Sequence, residues 1–347
     1  MSSFYRLVKD QIKILIVGPA WVGDMVMAQS LFKLLKQREF SPIIDVLAPS
    51  WTSSILSRMP EIRKGISLPF KHGEFKLKER FRLARQLQKE HYDEVIVLPN
   101  SFKSAVIPFA AQIPKRTGWI GELRFGILND VRVLDKKNYP RMVERFAALA
   151  FPAGTLLPHI PLPSLMVTSP SVNKALEAHG IKPPVNRVMA LCPGAEFGPS
   201  KRWPANYFAE IARRKIAQGF DVWLLGSPKD VELSKKIQEA TDYQCIDLTG
   251  KTSLAEAIDL LSLVDVVVAN DSGLMHIAAA LDRPLVALYG PTSADFTPPL
   301  GSKSRILSKP LSCSPCFKRA CPLMHHKCMR ELMPLQVDEA INTLVPL

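Results

Sequence analysis

Several common features are absent from this 347-residue sequence, and each absence narrows the kinds of protein it can encode. No apolar run approaches the roughly 20 residues that a membrane-spanning helix needs. The first residues, MSSFYRLVKDQ, lack the apolar core and cleavage site of a secretory signal, so we expect a cytoplasmic protein. Acidic residues are in deficit, with 32 aspartates and glutamates against 45 lysines and arginines. The net charge of +13 suggests an acidic partner, such as nucleic acid, a phosphorylated small molecule or an anionic membrane surface. Charge alone is equally consistent with a solvated basic surface.

Three well-known nucleotide-binding and catalytic motifs are also missing. There is no G-x-x-x-x-G-K-[ST] phosphate loop, no G-x-S-x-G elbow and no complete G-x-G-x-x-G, because residues 18–23 contain only Gly18 and Gly23. These absences argue against a P-loop NTPase and a dehydrogenase.

Buried strands that alternate with amphipathic helices dominate what is present. This rhythm is typical of βαβ units and a parallel sheet, and it runs twice along the chain. A stretch with five prolines and no charged residue, 151–170, separates the two runs. We therefore predict an α/β protein with two Rossmann-like domains, 1–165 and 166–330, followed by a C-terminal helix in 331–347 that packs back on the first domain. The predicted strands are 12–18, 43–49, 93–99, 187–194, 221–227, 264–271 and 283–290; the predicted helices are 24–37, 74–90, 204–218, 230–240, 253–263, 272–281 and 336–344.

Three loops that follow strands of the second domain carry residues suited to an anion. Ligands of open parallel sheets bind at the carboxyl ends of the strands, where glycine backbones and helix N-termini approach phosphates. The alternative for each loop is an ordinary turn that caps the next helix. The candidates are Gly194, Ala195 and Lys201 in CPGAEFGPSKRWP; Ser227 and Asp230 in LLGSPKD; and Asp271, Ser272, Gly273 and His276 in NDSGLMHIAAALDRP.

Five longer segments resemble glycosyltransferase family 9, whose members are inverting transferases of GT-B fold that use ADP-heptose. Within this family, the segments resemble the enzymes that add the second heptose. The segments are GPAWVGDMVMAQSL, LPNSFKSA, RTGWIGELRFGILNDVR, CPGAEFGPSKRWP and NDSGLMHIAAALDRPLVALYGPTSADFTPPL, spread in order from about residue 12 to 300. The resemblance implies two Rossmann-like domains facing across a cleft. It also implies transfer of L-glycero-D-manno-heptose from ADP-heptose to the first heptose of the lipopolysaccharide inner core.

The resemblance assigns roles to individual residues. Asp24, in the GD context of the family's catalytic base, would take the proton of the acceptor hydroxyl; the alternative is a helix cap. At a helix start the local dipole should keep this carboxylate ionised. Lys201 would neutralise the leaving diphosphate, while Ser272, Gly273 and His276 would cradle the phosphates. Asp271 would position the donor sugar or the adenosine phosphate.

The remaining donor contacts are looser matches. Thr252 would lie on the adenine side, and Asp230 would replace a glutamate that holds the ribose in a related enzyme. No metal is implied, since Lys201, loop amides and helix N-termini supply positive charge, and no two aspartates form the D-x-D pattern of metal-dependent sugar transfer.

A basic face in the first domain suits the Kdo-lipid A type of glycolipid acceptor that the resemblance implies. The segment 71–91 has seven lysines and arginines, and Lys103, Arg116 and Arg124 lie nearby in sequence. We expect these three to contact the acceptor and Trp119 to stack on a sugar or to fill the core. We expect peripheral association with the inner membrane, although 71–91 is equally consistent with a solvated helix face.

Four cysteines crowd together near the C-terminus, and other functions stay open. Cys313, Cys316, Cys321 and Cys328 could bind structural zinc, form a redox-sensitive or disulfide-bearing loop, or be simple buried thiols. One alternative function is another GT-B transferase with a different donor or acceptor. A basic nucleic-acid-binding protein is a second, but Phe75 and Phe81, the aromatics of 71–91, are spaced like core residues rather than base-stacking ones.

Overall fold

The computed structural model describes residues 11–69 and 76–346, which fold into two compact units. The first unit comprises the described residues up to Ala20 together with Ala28–Pro161. The second comprises Trp21–Met27 together with the described residues from Leu162 onward. The connection between units thus falls at 161/162, inside the proline-rich stretch, and one helix contributes residues to both units.

The first unit is built on a six-stranded parallel sheet of order β3-β2-β1-β4-β5-β6. Its strands are β1 (Lys13–Val17), β2 (Ile43–Pro49), β3 (Ile62–Leu68), β4 (Glu94–Val97), β5 (Lys115–Trp119) and β6 (Asp130–Arg132). Its helices are α1 (Val22–Lys36), which begins in the second unit, α2 (Ser53–Leu56), α3 (Leu77–Gln88), α4 (Phe102–Ala110) and α5 (Met142–Ala147).

The second unit repeats this design with the sheet order β12-β11-β10-β7-β8-β9. Its strands are β7 (Val188–Cys192), β8 (Asp221–Leu224), β9 (Ile246–Asp247), β10 (Val266–Asn270), β11 (Leu285–Tyr289) and β12 (Ser304–Ser308). Its helices are α6 (Ser169–Ala178), α7 (Ala205–Ala217), α8 (Val231–Ala240), α9 (Leu254–Leu261), α10 (Gly273–Ala280), α11 (Lys327–Arg330) and α12 (Pro334–Leu344).

Apolar residues explain why the central strands form. β7, β10 and β11 are buried at every position, as strands covered by helices on both faces must be. The predicted α/β class, the seven predicted strands and the seven predicted helices are confirmed, with ends shifted by one to three residues at most positions.

The C-terminal helix differs from its expectation. Val337 and Ile341 of α12 are fully buried in the core of the second sheet, beside Phe208 and Leu288. This amphipathic helix therefore covers β11 and α7 of the second unit, rather than packing back on the first domain.

Candidate active site

Loops that follow neighbouring strands of the second sheet meet at the carboxyl ends of those strands. β10 pairs with β7 so that Ala269 lies opposite Cys192. The buried Asn270 side chain then joins their loops: its Nδ2 donates to the Pro193 carbonyl at 2.7 Å, and its Oδ1 accepts from the Trp203 N–H at 3.1 Å. The loops after β7 and β10 are therefore fixed to each other at the carboxyl ends of the strands, where ligands of parallel sheets bind.

An ion pair between two predicted site residues lies at these strand ends. Lys201 Nζ lies 2.6 Å from Asp271 Oδ2, and the side chains are 12% and 6% exposed. Thr292, in the loop after β11, donates its hydroxyl to the same oxygen at 2.6 Å. The Phe197 ring lies 4.9 Å from the ammonium. Lys201 is thus a fixed positive charge in a mostly buried setting, where it acts more strongly than in water.

Asp24 stands in the first turn of α1, among the residues that group with the second unit. Burial raises its pKa from 3.8 to about 6; the charge of Lys201 opposes the rise, and that of Asp271 adds to it. None of the described residues donates a hydrogen bond to this carboxylate. Burial therefore outweighs the helix dipole that was expected to favour the ionised form, and the group titrates in the range of a general base.

The N-terminal turns of α1 and α10 pack closely, and glycine allows it. A Cβ at position 23 would lie 2.5 Å from His276 Cδ2, and one at position 273 would lie 2.8 Å from Val22 Cβ. His276 is buried, and burial lowers its pKa to about 4, so the ring is neutral. Its Nδ1 has no hydrogen-bond partner among the described residues. The structure thus places His276 against the Asp24 turn, while Ser272 and Gly273 begin α10.

Asp230, the carboxylate of the loop after β8, accepts hydrogen bonds from neighbouring protein groups. Asp230 Oδ2 accepts from the Ser227 N–H at 3.0 Å and the Ser227 hydroxyl at 2.7 Å, while Oδ1 accepts from Arg202 at 3.1 Å. A side chain at Gly194 would collide with this carboxylate. Asp230 is only 5% exposed, so its contacts stabilise the loop, and they lend no support to the expected ribose contact.

Ala195 and Thr252 are the remaining predicted donor residues. Ala195 is buried in the turn after β7, and Thr252 is half-buried in the turn before α9. Neither residue makes a described contact that would indicate a role in donor binding.

Two of the predicted acceptor residues are buried in the first unit, which corrects their assignment. Arg124 is fully buried and donates to the carbonyls of Trp119 and, at 2.7 Å, Pro99. Trp119 is 5% exposed, and its Nε1 donates to the Arg145 carbonyl at 3.0 Å. Both side chains hold the turn after β5 in place, so neither contacts a ligand in this arrangement, and Trp119 fills the core as its alternative interpretation stated.

The other predicted basic residues lie closer to solvent. Arg116 is half-buried and donates its Nε and Nη1 groups to the carbonyls of Ile127 (2.6 Å) and Ile113 (2.7 Å), respectively. Lys103 is half-buried on α4. In the basic segment, residues 71–75, including Phe75, lie outside the described residues; Phe81 is 47% exposed, contrary to its expected core position. The exposed cations of α3 and its end are Lys78, Arg82, Arg85 and Lys89.

The four clustered cysteines are free thiols that line one small cavity of about 20 Å³. Over residues 11–69 and 76–346, no three histidine, cysteine, aspartate or glutamate side chains are arranged to hold a metal ion. The arrangement therefore gives the zinc interpretation no support.

Sequence analysis missed two residues that shape the site, Asn270 and Thr292. Asn270 belongs to the quoted NDSG segment, and Thr292 follows the predicted strand 283–290. Polar residues at strand ends were the available signal, but their partners depend on which strands are neighbours in the sheet. In the described part of the chain no helix is both long and apolar enough to cross a membrane.

Comparison with known proteins identifies the class. The family model of glycosyltransferase family 9 (heptosyltransferase) matches residues 80–327. The structure of E. coli ADP-heptose LPS heptosyltransferase II superposes with a TM-score of 0.86 at 43% identity, covering 96% of this chain and 98% of that one. The two parallel α/β sheets are thus those of a GT-B glycosyltransferase.

Sequence relatives agree over nearly the whole chain. Lipopolysaccharide heptosyltransferase 2 of Salmonella typhimurium is 46% identical over 344 residues, covering 96% of this chain and 98% of the relative. Lipooligosaccharide heptosyltransferase 2 of Haemophilus influenzae is 48% identical over 306 residues, covering 85% and 88%. The chain belongs to glycosyltransferase family 9, the heptosyltransferases.

Proposed function

We propose that this enzyme transfers L-glycero-D-manno-heptose from ADP-heptose to the first heptose of the lipopolysaccharide inner core. Relatives named heptosyltransferase 2 at 46–48% identity support the acceptor, and the E. coli structure named for ADP-heptose supports the donor. The observation that carries the chemistry is the half-buried Asp24 carboxylate, to which none of the described residues donates a hydrogen bond, within the field of the Lys201–Asp271 pair.

The proposed reaction is a single displacement at the anomeric carbon. The acceptor oxygen forms the new glycosidic bond while its proton passes to the Asp24 carboxylate, which requires a separation of about 2.6–3.2 Å. The bond from the anomeric carbon to the phosphate oxygen breaks, and ADP leaves with that electron pair. The configuration at the anomeric carbon therefore inverts.

Positive charge for the leaving diphosphate would come from the protein. Lys201 is held beside Asp271, and the N-terminal amides of α10 begin at Ser272 and Gly273 at the same strand ends. Such groups stabilise negative charge as it develops, so we propose that transfer needs no metal ion. We propose that each of these residues contacts the donor.

The acceptor and the membrane are proposed on chemical grounds. A Kdo-lipid A type of glycolipid carries carboxylates and phosphates at the inner leaflet, and the exposed cations of α3 with Lys103 are suited to attract them. We therefore propose a cytoplasmic enzyme that associates peripherally with the inner membrane. The alternative within the family is a different heptosyl acceptor or donor. The two relatives described above are named as heptosyltransferases, which favours sugar transfer over nucleic-acid binding.

The deciding experiment is a transfer assay read by mass spectrometry. Wild type, Asp24→Asn and a control, Asp242→Asn at an exposed turn, would be incubated with ADP-heptose and monoheptosylated Kdo2-lipid A, with and without EDTA. We expect one added heptose for wild type and the control, with or without EDTA, and none for Asp24→Asn, which should still bind ADP in calorimetry. Wild type that binds ADP but transfers nothing would refute the proposed substrates, and a fully active Asp24→Asn would refute the base.

A further inference from the structure

The segment Cys313–Cys328 supports the loop that carries Lys201. Ser200, which precedes the lysine, is 2% exposed; its hydroxyl donates to the Lys318 carbonyl at 2.6 Å, and its N–H to the Arg319 carbonyl at 3.2 Å. The Phe197 ring lies 4.9 Å from the Lys201 ammonium and 5.7 Å from the Arg319 guanidinium carbon. Lys201 is thus located through contacts with this cysteine segment.

The same segment also holds the loop on the other side of the ion pair. The Phe317 N–H donates to the Pro291 carbonyl at 2.7 Å, and the Ser314 hydroxyl donates to the Gly290 carbonyl at 2.5 Å. Thr292, the next residue, hydrogen-bonds to Asp271. Both partners of the Lys201–Asp271 pair therefore depend on where residues 314–319 lie.

The four thiols of the cluster border the same cavity. Cys313, Cys316, Cys321 and Cys328 line one cavity together with Ser200 and Pro291. Backbone N–H groups of residues 323–326, His326 foremost, face the Cys321 sulfur and lower the pKa of its thiol. The chain bends around this sulfur through left-handed conformations at Met324 and His326. All four cysteines are partly buried, and Cys321 is the one whose sulfur these backbone N–H groups face, so its thiolate is the readiest nucleophile of the cluster.

We propose that this cluster is a thiol modification site at which a hydroperoxide oxidises Cys321 and thereby weakens the donor site. The Cys321 thiolate attacks the peroxide, so that an S–O bond forms, the O–O bond breaks, and the leaving oxygen takes a proton to become water or an alcohol. A second thiolate of the cluster then attacks the sulfenic sulfur, forming a disulfide and releasing water. Sulfur loses two electrons in all, and the peroxide gains them.

The disulfide alters the donor site because it moves the backbone that supports Lys201. A disulfide between two sulfurs of this cavity draws together the parts of the segment that contain them. The Lys318 and Arg319 carbonyls, which accept from Ser200, move with that segment. Lys201 then shifts with Ser200 and contacts the donor diphosphate less well, and the loss of a contact to a charged group weakens donor binding by about tenfold or more. The inference rests on the proposed donor role of Lys201, while the chemistry at sulfur is independent of it.

The test compares reduced and hydrogen peroxide-treated enzyme in the heptose transfer assay, after the reduced wild type has been shown to be active. Initial rates are measured against ADP-heptose concentration, and peptides are mapped by mass spectrometry. We expect a disulfide within 313–328, a rise of about tenfold in the KM for ADP-heptose, and recovery with dithiothreitol. Cys321→Ser should keep the reduced rate and lose the sensitivity, whereas Cys245→Ser, at a buried thiol of raised pKa, should stay sensitive.

Several results would overturn the proposal. These are peroxide treatment that leaves the four thiols unmodified, a mapped disulfide without a change in KM, or one equivalent of metal bound by these thiols in the purified protein. If Cys321→Ser does not fold, Ser200→Ala replaces it. That variant removes the hydrogen bond to the Lys318 carbonyl and should reproduce the rise in KM without oxidation, and an unchanged KM would equally refute the proposed support of Lys201.

Discussion

Asp24 is a carboxylate that the fold makes harder to ionise. Burial raises its pKa to about 6, and no described residue offers it a hydrogen bond in compensation. A group whose pKa is raised in the folded state binds its proton more tightly there than in the unfolded chain, so ionising it costs stability. The proposed base therefore works at the expense of folding free energy.

We predict that Asp24→Asn stabilises the protein at pH 8 while abolishing transfer. The cost of the charged form is absent below about pH 4, grows between pH 4 and 6 and is complete above pH 6, where the shift corresponds to on the order of 3 kcal/mol. Thermal unfolding at pH 8 and pH 5 should show a gain that is larger at pH 8. Asp242→Asn should show no such trend, and equal midpoints for Asp24→Asn and wild type at pH 8 would contradict the burial argument.

The pH profile should report the same carboxylate. We predict that kcat/KM rises with pH through about 6 and then levels off, since Asp24 must lose its proton to act. In Lys201→Gln the charge that opposes the shift is gone, so the acidic limb should move to higher pH, with activity reduced about 100-fold.

Rates from pH 5 to 8.5 on both proteins check this prediction. His276, with its pKa near 4, stays neutral over that range and adds no step of its own. A limb that stays in place in Lys201→Gln would show that the lysine does not act on Asp24.

At the scale of elements, the contact between the first turns of α1 and α10 locates Asp24. Neither turn tolerates a side chain where they touch, at Gly23 or Gly273. The neutral ring of His276 fills the space beside Gly23. These small residues thus serve close helix packing as well as any approach to a ligand.

We predict that Gly23→Ala lowers kcat by tenfold or more, because its Cβ would push the Asp24 turn away from His276. The double variant Gly23→Ala/His276→Ala removes the opposing ring and should regain part of the loss. A double-mutant cycle of kcat and unfolding midpoint measures this coupling. Additive effects of the two substitutions would argue against the contact as the cause.

Sequence patterns predicted the elements whose burial is complete and missed those at the sheet edges. β7, β10 and β11 read as apolar runs because helices cover both of their faces. β3 and β12 lie at edges and are largely half-buried or exposed, so their sequences carry little apolar signal. β5 carries Lys115, Arg116 and Gly118, which leave no continuous apolar run, so the sequence predicts no strand there.

The candidate site was predicted where chemistry and strand ends coincide. Lys201 and Asp271 carry opposite charges at the ends of neighbouring strands, and the structure brings them into contact. The expected acceptor contact of Arg124 is wrong because a basic residue in a polar segment looks exposed, whereas Trp119 takes the core position that was its alternative interpretation. Only the fold shows that both side chains donate to backbone carbonyls in the interior.

At the scale of the whole molecule, the charge of +13 should make membrane association depend on salt. We predict binding to vesicles that contain phosphatidylglycerol, weakening steadily from 50 to 500 mM NaCl, because surface attraction is worth about 1 kcal/mol per basic residue and is screened by ions. The charge reversal Arg82→Glu/Arg85→Glu on exposed α3 should weaken binding without changing the unfolding midpoint.

Co-sedimentation with vesicles measures this association, and purely zwitterionic vesicles serve as the control. Binding that is equally strong on both vesicle types, or that is insensitive to salt, would contradict an electrostatic attachment.

The Lys201–Asp271 pair has a consequence for selectivity inside a cell rich in free phosphate. Before any donor arrives, the lysine is already neutralised by a carboxylate that Thr292 helps to hold. An incoming anion must compete with that internal partner, so a small ion that offers nothing beyond charge gains little. A nucleoside diphosphate brings further groups for the neighbouring loops to bind, and it can therefore displace a partner that inorganic phosphate cannot.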